Sequence, residues 1–346
     1  MLLAAKLNSR SCVPGNVSMI PSVEAAMGWS GVGLWGSQPS IDTNLRQVFF
    51  ATGNTYSVPD VIIQCQKDTA NITAVTQGLV TDSCLPDSIW QESVISIDID
   101  LGLVNWVHQL PTLDAFSAAC GFPGFSLQNT TLCPQVPGLD TDFGMAPAFV
   151  PGSPSTPYGK DTIVVGQKSG ILFAMSAQAG QLFWSTVTSP DGLGGGLSWG
   201  IAVDDSRVYF TAINSGEIEF QLQPSNNGHN TSRSAYGAAS LKTGALLWET
   251  ATPKNGVAYG PPSVVGDLVL VARTGSDPNG TADYDRSAGG LVALQKTTGE
   301  VLLDFELNTN FHGGVAVQDR SILFGTGYSG FSPLALVPGA FNVLQV

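Results

Sequence analysis

The sequence predicts an all-β protein built as a propeller of four-stranded blades, and three observations predict it. Glycine is abundant, at 40 of 346 residues, with 21 prolines, and the hydrophobic runs are short. No long amphipathic segment of period 3.6 and no heptad repeat is present, which leaves many short strands joined by tight turns. Most tellingly, one design recurs four times: a strand, a glycine turn, and a second strand that in three copies carries a tryptophan at a fixed place.

The four copies centre on Gly102, Gly180, Gly244 and Gly299. Each glycine follows a strand-like run (Ser96–Asp100, Ala174–Gln178, Ala239–Lys242, Ala293–Lys296), at a turn that needs positive φ. Trp106, Trp184 and Trp248 each stand four residues after the glycine, and Leu303 takes that place in the last copy. A tryptophan at one point per unit can pack between neighbouring sheets and bury a large apolar area. The glycines lie 78, 64 and 55 residues apart. A blade needs about 40–50 residues, so the longer gaps predict inserted loops, notably 111–141 and the polar stretch 215–234. Upstream apolar runs such as Thr162–Gly166 and Leu268–Val271 supply the inner strands. Residues 1–27 are expected to be irregular or a remnant of a preceding blade, and residues 28–346 to form the propeller.

Charge narrows the function. With a net charge of −13 and only 14 Lys+Arg, the surface repels phosphate backbones and anionic membranes, so neither nucleic acid nor a membrane is an expected partner. No segment reaches the roughly 18 apolar residues that cross a bilayer. The N-terminus lacks the features of a signal peptide, yet other features predict a secreted glycoprotein. Five Asn-x-Ser/Thr sequons, at Asn16, Asn71, Asn129, Asn230 and Asn279, fall in stretches that read as loops. Cys65 and Cys84 bracket one polar loop and Cys120 and Cys133 another, the placement of loop-closing disulfides, with Cys12 left over. No CxxC or Cys/His cluster suggests structural zinc, and His108, His229 and His312 show no metal or triad spacing.

The Ala-x-x-x-x-Thr-Gly-x-x-x-Trp design resembles the repeat of pyrroloquinoline quinone (PQQ) propellers, the quinoprotein alcohol dehydrogenases. Gly33–Asp42, Val48–Ser57, Thr141–Pro147, Val165–Gly170 and Leu197–Gly200 resemble most closely the polyvinyl-alcohol dehydrogenase-like branch. The resemblance implies roles for particular residues. Trp35 matches the tryptophan on which PQQ stacks; Asn54, in Thr52-Gly53-Asn54, matches a ligand of the Ca²⁺ that holds the quinone. Asp142, before Phe143, matches the general base, with Asp140 nearby as a rival. Lys168 matches a basic side chain beside the quinone oxygens, within a stretch that also reads as a hairpin tip. Trp199 is carried over as a further cofactor contact.

These residue types suit the chemistry. An indole offers a dry stacking face, a hard cation held by oxygens polarises a carbonyl, a carboxylate takes the alcohol proton, and a cation stabilises developing negative charge. The resemblance therefore implies a secreted oxidoreductase that transfers hydride from a small-molecule or polymeric alcohol to PQQ. It also implies about eight blades, of which about five are counted here, with Trp35 standing near the start of the chain. The missing blades would supply an acidic Ca²⁺ ligand and an adjacent-cysteine disulfide, so an inactive product, or a non-catalytic scaffold or binding propeller, is the alternative. Open propeller edges are expected to favour association.

Overall fold

The computed structural model describes residues 10–13, 16–21, 25–35, 38–68, 83–110, 113–121, 133, 137–192, 194–197, 199–224, 229–276, 285–327 and 339–345. The regular structure of the described residues is nearly all strand, and the chain falls into two compact units, residues 1–149 with 175–182, and residues 150–174 with 183–346.

The first unit opens with a hairpin of β1 (Arg10–Val13) and β2 (Asn16–Pro21), followed by β3 (Ser30–Gly31). Its main sheet takes β4 (Ser40–Asp42), β5 (Gln47–Ala51), β7 (Ser93–Asp98) and β8 (Val104–Gln109) in that order, all antiparallel, while β6 (Thr55–Ser57) pairs with β3. β5 and β7 are buried almost throughout and β8 is only half-buried, the gradient expected when a sheet is covered on both faces near its inner strands. One face of β5 and β7 joins Val48, Ile95 and Ile97 to Trp29, Val32, Ile89 and Leu113 in a single core. The opposite face presents Phe49, which stacks on Phe149 at 5.8 Å.

Between β6 and β7 the sequence reads as a polar loop, but a short helix α1 (Asp60–Asp68) occupies part of it. The helix starts where the carbonyl of Pro59 accepts the Ile62 and Ile63 N–H groups, and both isoleucines pack on the core. Nine residues are too few to carry an amphipathic signature, so burial of these two side chains decides the local structure. Both predicted disulfides, Cys65–Cys84 and Cys120–Cys133, are present.

The second blade comprises β9 (Ala148–Val150), β10 (Thr162–Gly166), β11 (Ile171–Ser176) and β12 (Leu182–Val187). In the second unit β13 (Ala202–Val203), β14 (Arg207–Ala212), β17 (Ala235–Ser240) and β18 (Leu246–Ala251) form the next sheet. A hairpin of β15 (Phe220–Gln221) and β16 (Asn230–Thr231) is inserted between β14 and β17. Then follow the sheet of β19 (Ser263–Val265), β20 (Leu268–Ser276), β21 (Asp285–Gln295) and β22 (Val301–Leu307), and a three-stranded sheet of β23 (Ala316–Gln318), β24 (Ser321–Thr326) and β25 (Ala340–Gln345). Four four-stranded sheets and this fifth agree with the five units expected.

Two sequon asparagines depart from the loop reading: Asn16 opens β2 and Asn230 opens β16. The register Phe220↔Thr231, Gln221↔Asn230 closes the polar insertion into a hairpin, and Asn230 Nδ2 donates to Glu219 Oε1 at 2.6 Å. Asn71, Asn129 and Asn279 lie outside the described residues.

The recurring tryptophans do what their spacing predicts. Indole N–H groups of Trp106, Trp184 and Trp248 donate to the carbonyls of Ala177, Leu241 and Lys296 at 3.0, 3.1 and 3.0 Å. Their rings lie against Gly180, Gly244 and Gly299, where a Cβ would come within 2.4–2.6 Å of ring carbons. Two residues beyond each tryptophan, Thr186 and Thr250 donate to the Gly244 and Gly299 carbonyls, and His108 hydrogen-bonds to the Gly180 backbone.

One fully buried cation is neutralised inside the second unit. Arg273 donates to Asp304 (3.0 Å), Glu306 (2.8 Å) and the carbonyls of Gly275 (2.8 Å) and Gly289 (3.2 Å). Two carboxylates and two carbonyls offset the desolvation that a lone buried guanidinium would suffer.

Two outcomes follow from these contacts. Replacing Trp248 by alanine should cost about 3–5 kcal/mol of stability in chemical denaturation. Gly299→Ala, which forces a side chain onto the ring at φ +74°, should also destabilise, by more than the roughly 1 kcal/mol gained or lost at an unstrained glycine. Glu249, whose Oε2 accepts the Gln223 N–H at 2.8 Å, is pushed up to about 7 by burial. Because the folded value is raised, its stabilising contribution is present below about pH 4.5 and lost as pH rises through 7. The pH-dependent stability difference between wild type and Glu249→Gln across that interval should approach about 3 kcal/mol.

Candidate functional site

β5 runs out of its sheet into Thr52-Gly53-Asn54-Thr55, and this turn is pinned from several sides. Thr52 N–H donates to Ser93 O at 2.9 Å, Gly53 N–H to Gly33 O at 2.9 Å, and Thr55 N–H to Asp114 O at 2.9 Å. The Asn54 carbonyl accepts the Val32 N–H at 2.6 Å. Gly53 is required by close approach: an added Cβ would strike Asp142 Oδ1 and lie 2.8 Å from Trp35 Nε1. The glycine thus lets the Trp35 indole and the Asp142 carboxylate meet one stretch of backbone. Three residues that the sequence singles out separately, Trp35, Asn54 and Asp142, come together here.

Asn54 is wholly buried and nearly all its polar atoms are committed. Its N–H donates to Asp142 Oδ1 at 2.8 Å, and its Nδ2 to Phe116 O at 2.7 Å and Asp114 Oδ1 at 3.3 Å. Its Oδ1 is buried with no hydrogen-bond partner among the described residues. A buried amide oxygen left unpaired costs about 1–3 kcal/mol, so the position calls for an electropositive occupant.

Around it lie carboxylates that the sequence reading did not connect. Asp114 accepts the Thr141 N–H at 2.8 Å and the Phe116 N–H at 3.1 Å, and its own N–H donates to Gln91 Oε1. Thr141 donates its hydroxyl to Glu92 Oε1 at 2.6 Å, with Asp114 Oδ2 at 3.2 Å. Glu92 is almost fully buried, and burial, followed by the charge of Asp114 and a hydrogen bond to it, pushes its carboxyl well above the usual range. The Thr141 bond opposes that shift and the charge of Asp142 adds to it. Glu92, Asp114 and Asp142 therefore form one acidic cluster beside the unpaired Asn54 oxygen. Asp140, the rival to Asp142, is also buried, with φ +62°.

Few features of the sequence point to these partners. Asp114 lies 60 residues from Asn54, inside a stretch that reads as an insertion. Its one mark is a lone carboxylate among Leu113, Ala115 and Phe116. Glu92 immediately precedes the apolar β7, where a charge must be either solvated or paired. An apolar cleft of about 200 Å³ adjoins the cluster, lined by Leu34, Trp35, Phe49, Phe50 and Met145 among others.

Lys168 and Trp199 belong to the second unit. Lys168 does sit in the turn joining β10 to β11, as a hairpin tip should, but it is buried rather than solvated, and its carbonyl accepts the Gly196 N–H at 2.7 Å. Trp199 is 38% exposed. Among the described residues no group of three or more His, Cys, Asp or Glu side chains is arranged to hold a metal ion by itself.

Comparison with known proteins now gives this geometry a context. No protein-family profile matches the chain. It is 28% identical over 222 residues to a polyvinylalcohol dehydrogenase of Sphingopyxis sp. (strain 113P3), covering 64% of this chain and 27% of the relative. It is 27% identical over 183 residues to a polyvinylalcohol dehydrogenase of Pseudomonas sp., covering 53% and 22%. The chain thus spans about a quarter of the length of the curated relatives it matches. Among solved structures, a europium-containing methanol dehydrogenase superposes with TM-score 0.54 at 13% identity, over 89% of this chain and 54% of its own. The quinohemoprotein alcohol dehydrogenase from Comamonas testosteroni gives 0.51 at 14% identity, over 86% and 45%. The blade sheets among the described residues, the repeated tryptophan contact and these likenesses agree: the chain has a β-propeller fold like that of the quinoprotein alcohol dehydrogenases, and is similar over part of its length to the polyvinylalcohol dehydrogenases.

Proposed function

We propose that this chain is part of a quinoprotein-type oxidoreductase that oxidises an alcohol, and that the Gly53 turn is its reaction centre. The observation that carries the reading is the buried, unpaired side-chain oxygen of Asn54, a residue whose backbone N–H is held by the Asp142 carboxylate. An uncommitted amide oxygen next to a carboxylate is a donor set suited to a hard cation such as Ca²⁺, which takes about six to eight oxygens. Asn54 and Asp142 fit that group as two of its ligands or neighbours, with the other oxygens supplied from elsewhere. The half-buried Trp35 indole fits a flat cofactor against its face.

A bound PQQ would supply the hydride acceptor and a bound Ca²⁺ the Lewis acid for alcohol oxidation, held by Trp35, Asn54 and Asp142. The chain's own residues do the rest. Asp142 takes the hydroxyl proton, held in place by the Asn54 N–H. Asp114 and the Phe116 carbonyl accept from the Asn54 amide nitrogen and so leave its oxygen to face the cation. Glu92, whose carboxyl burial shifts toward its protonated form, accepts the Thr141 hydroxyl and completes this frame. Lys168 and Trp199 are carried as proposed cofactor contacts on the strength of the resemblance alone. The substrate is proposed to be a small or polymeric alcohol, because the relatives are polyvinylalcohol dehydrogenases and an apolar cleft adjoins Trp35. Two disulfides and similarity to these relatives support an extracellular setting.

A non-catalytic propeller is the rival reading, favoured by the absence, among the described residues, of a self-sufficient metal cluster. Titrating PQQ and Ca²⁺ into the purified chain separates the two. Quenching of tryptophan fluorescence together with dye-linked alcohol oxidation is expected; no change in either would sink the enzyme reading. In the loaded protein, Asp142→Asn should lower turnover at least about 100-fold, the scale of a lost general base, while cofactor quenching persists. Gly53→Ala should abolish quenching, since its methyl enters the space shared by Trp35 and Asp142.

A further inference from the structure

The second unit carries a cavity that the reaction centre does not use. Its volume is about 60 Å³, and Asn214, Ser215, Glu217, Arg233, Val257 and Tyr259 are among the residues lining it. β14 ends in the turn 213–218, and Asn214 organises that turn. Its Nδ2 donates to the carbonyls of Ile218 (2.9 Å) and Arg233 (3.2 Å), and its Oδ1 accepts the Ile218 N–H at 3.2 Å. Asn214 and Glu217 both hold positive φ, +49° and +52°, without being glycine. Backbone strain of this kind persists only where the surroundings over-determine it, and it gathers at functional sites. Here it sets the Glu217 carboxylate on the Arg233 guanidinium, in the cavity wall. Ser215 adds a hydroxyl whose oxygen accepts the Gly194 N–H at 2.9 Å and whose proton can still be donated.

Another part of the wall is aromatic. Residues 257–259 are held beside β20 by reciprocal backbone bonds between Val257 and Thr274, both 2.8 Å. Gly260 then passes so close to the next repeat that a Cβ would meet the Gly313 carbonyl at 2.4 Å. That approach accompanies a stack of the Tyr259 ring on the His312 imidazole, with centroids 5.0 Å apart and planes 7° from parallel. Both residues are half-buried. Burial pushes His312 down to about 4, so at neutral pH the pair is an uncharged aromatic platform.

These walls select a ligand by its chemistry. The Arg233–Glu217 pair offers donors and acceptors side by side with no net charge. That suits a hydroxyl, which is donor and acceptor at once, better than an ion. The aromatic platform suits an apolar C–H face. The cavity has room for only a few water-sized groups, too little to admit a sugar ring. A ligand that uses both features puts one or two hydroxyls into the cavity and runs the rest of its length over the platform.

We propose that this cavity and the Tyr259–His312 platform form a subsite for a hydroxylated polymer with a hydrocarbon backbone, of the polyvinyl alcohol kind. Hydroxyls of the chain bridge Arg233 and Glu217, with Ser215 as a further partner, and the carbon backbone between them lies on the two rings. The proposal rests on the alcohol-substrate part of the reading above, but on neither the quinone nor the cation.

The test is native electrophoresis of the intact chain, without added quinone or cation, in gels cast with increasing polyvinyl alcohol. Retardation that grows with polymer concentration is expected for the wild type. Glu217→Gln, whose side chain is 61% exposed, should keep the wild-type melting curve and weaken the apparent affinity at least tenfold. Tyr259→Ala should weaken it as far, whereas Trp35→Ala should be retarded like the wild type. An unretarded wild type, undiminished retardation of Glu217→Gln and Tyr259→Ala, loss of retardation in Trp35→Ala, or equal retardation by dextran would each overturn the proposal. The quinone titration is read separately: quenching by PQQ without polymer retardation removes the subsite and leaves the enzyme reading standing.

Discussion

A tryptophan side chain laid against a glycine of the next repeat, with its indole N–H on a nearby carbonyl, is the contact on which the rest of this structure depends. An aromatic residue buries about 150–250 Å², and at about 25 cal/mol per Å² that is roughly 4–6 kcal/mol of gross apolar stabilisation per contact. Any side chain at the glycine would hold the ring away, and any residue without an N–H would leave the carbonyl unpaired. The same pairing appears in both compact units, at Gly180 in the first and at Gly244 and Gly299 in the second. The strands themselves are short, and several have two or three residues. Their order comes from being held between neighbours rather than from intrinsic preference.

That dependence explains what could be read in advance. The Gly-x-x-x-Trp spacing was visible because the contact involves two residues whose identities cannot be exchanged, at positions fixed by one turn. The inner strands β10 and β20 were legible as apolar runs for the same reason. Helix α1 was not, since two isoleucines over nine residues give no periodicity. The loop reading of Asn230 failed because a two-residue hairpin ladder leaves almost no sequence trace. At the site, Trp35, Asn54 and Asp142 could be singled out one by one through resemblance. Their convergence on Gly53, and the framing by Glu92, Asp114 and Thr141, could not, because it joins residues up to 88 positions apart through side-chain geometry.

The electrostatics of that frame are worth setting beside Arg273. In the second unit a buried cation is neutralised in place by two carboxylates and two carbonyls. In the first, buried acids gather with one amide oxygen unpaired, and one of the acids is driven toward its neutral form. The first arrangement is closed and structural. The second is balanced only with positive charge added, the kind of imbalance that accompanies binding sites more often than packing.

The register of β5 and β7 separates these two kinds of demand. Gln47 pairs with Asp98 at the end of the sheet that carries the glycine turn, whereas Ala51 pairs with Val94 at the end that leads to Asn54. The glycine turn and the buried acidic cluster therefore occupy opposite rims of the same sheet, and substitutions on one rim leave the other largely unconstrained. Over evolutionary time the two rims can drift at different rates. A fold held by so few obligatory residues can persist where only 13–14% of positions still match its structural counterparts, while the rim that carries the Asn54 turn is free to be retuned, or lost, without the blades coming apart.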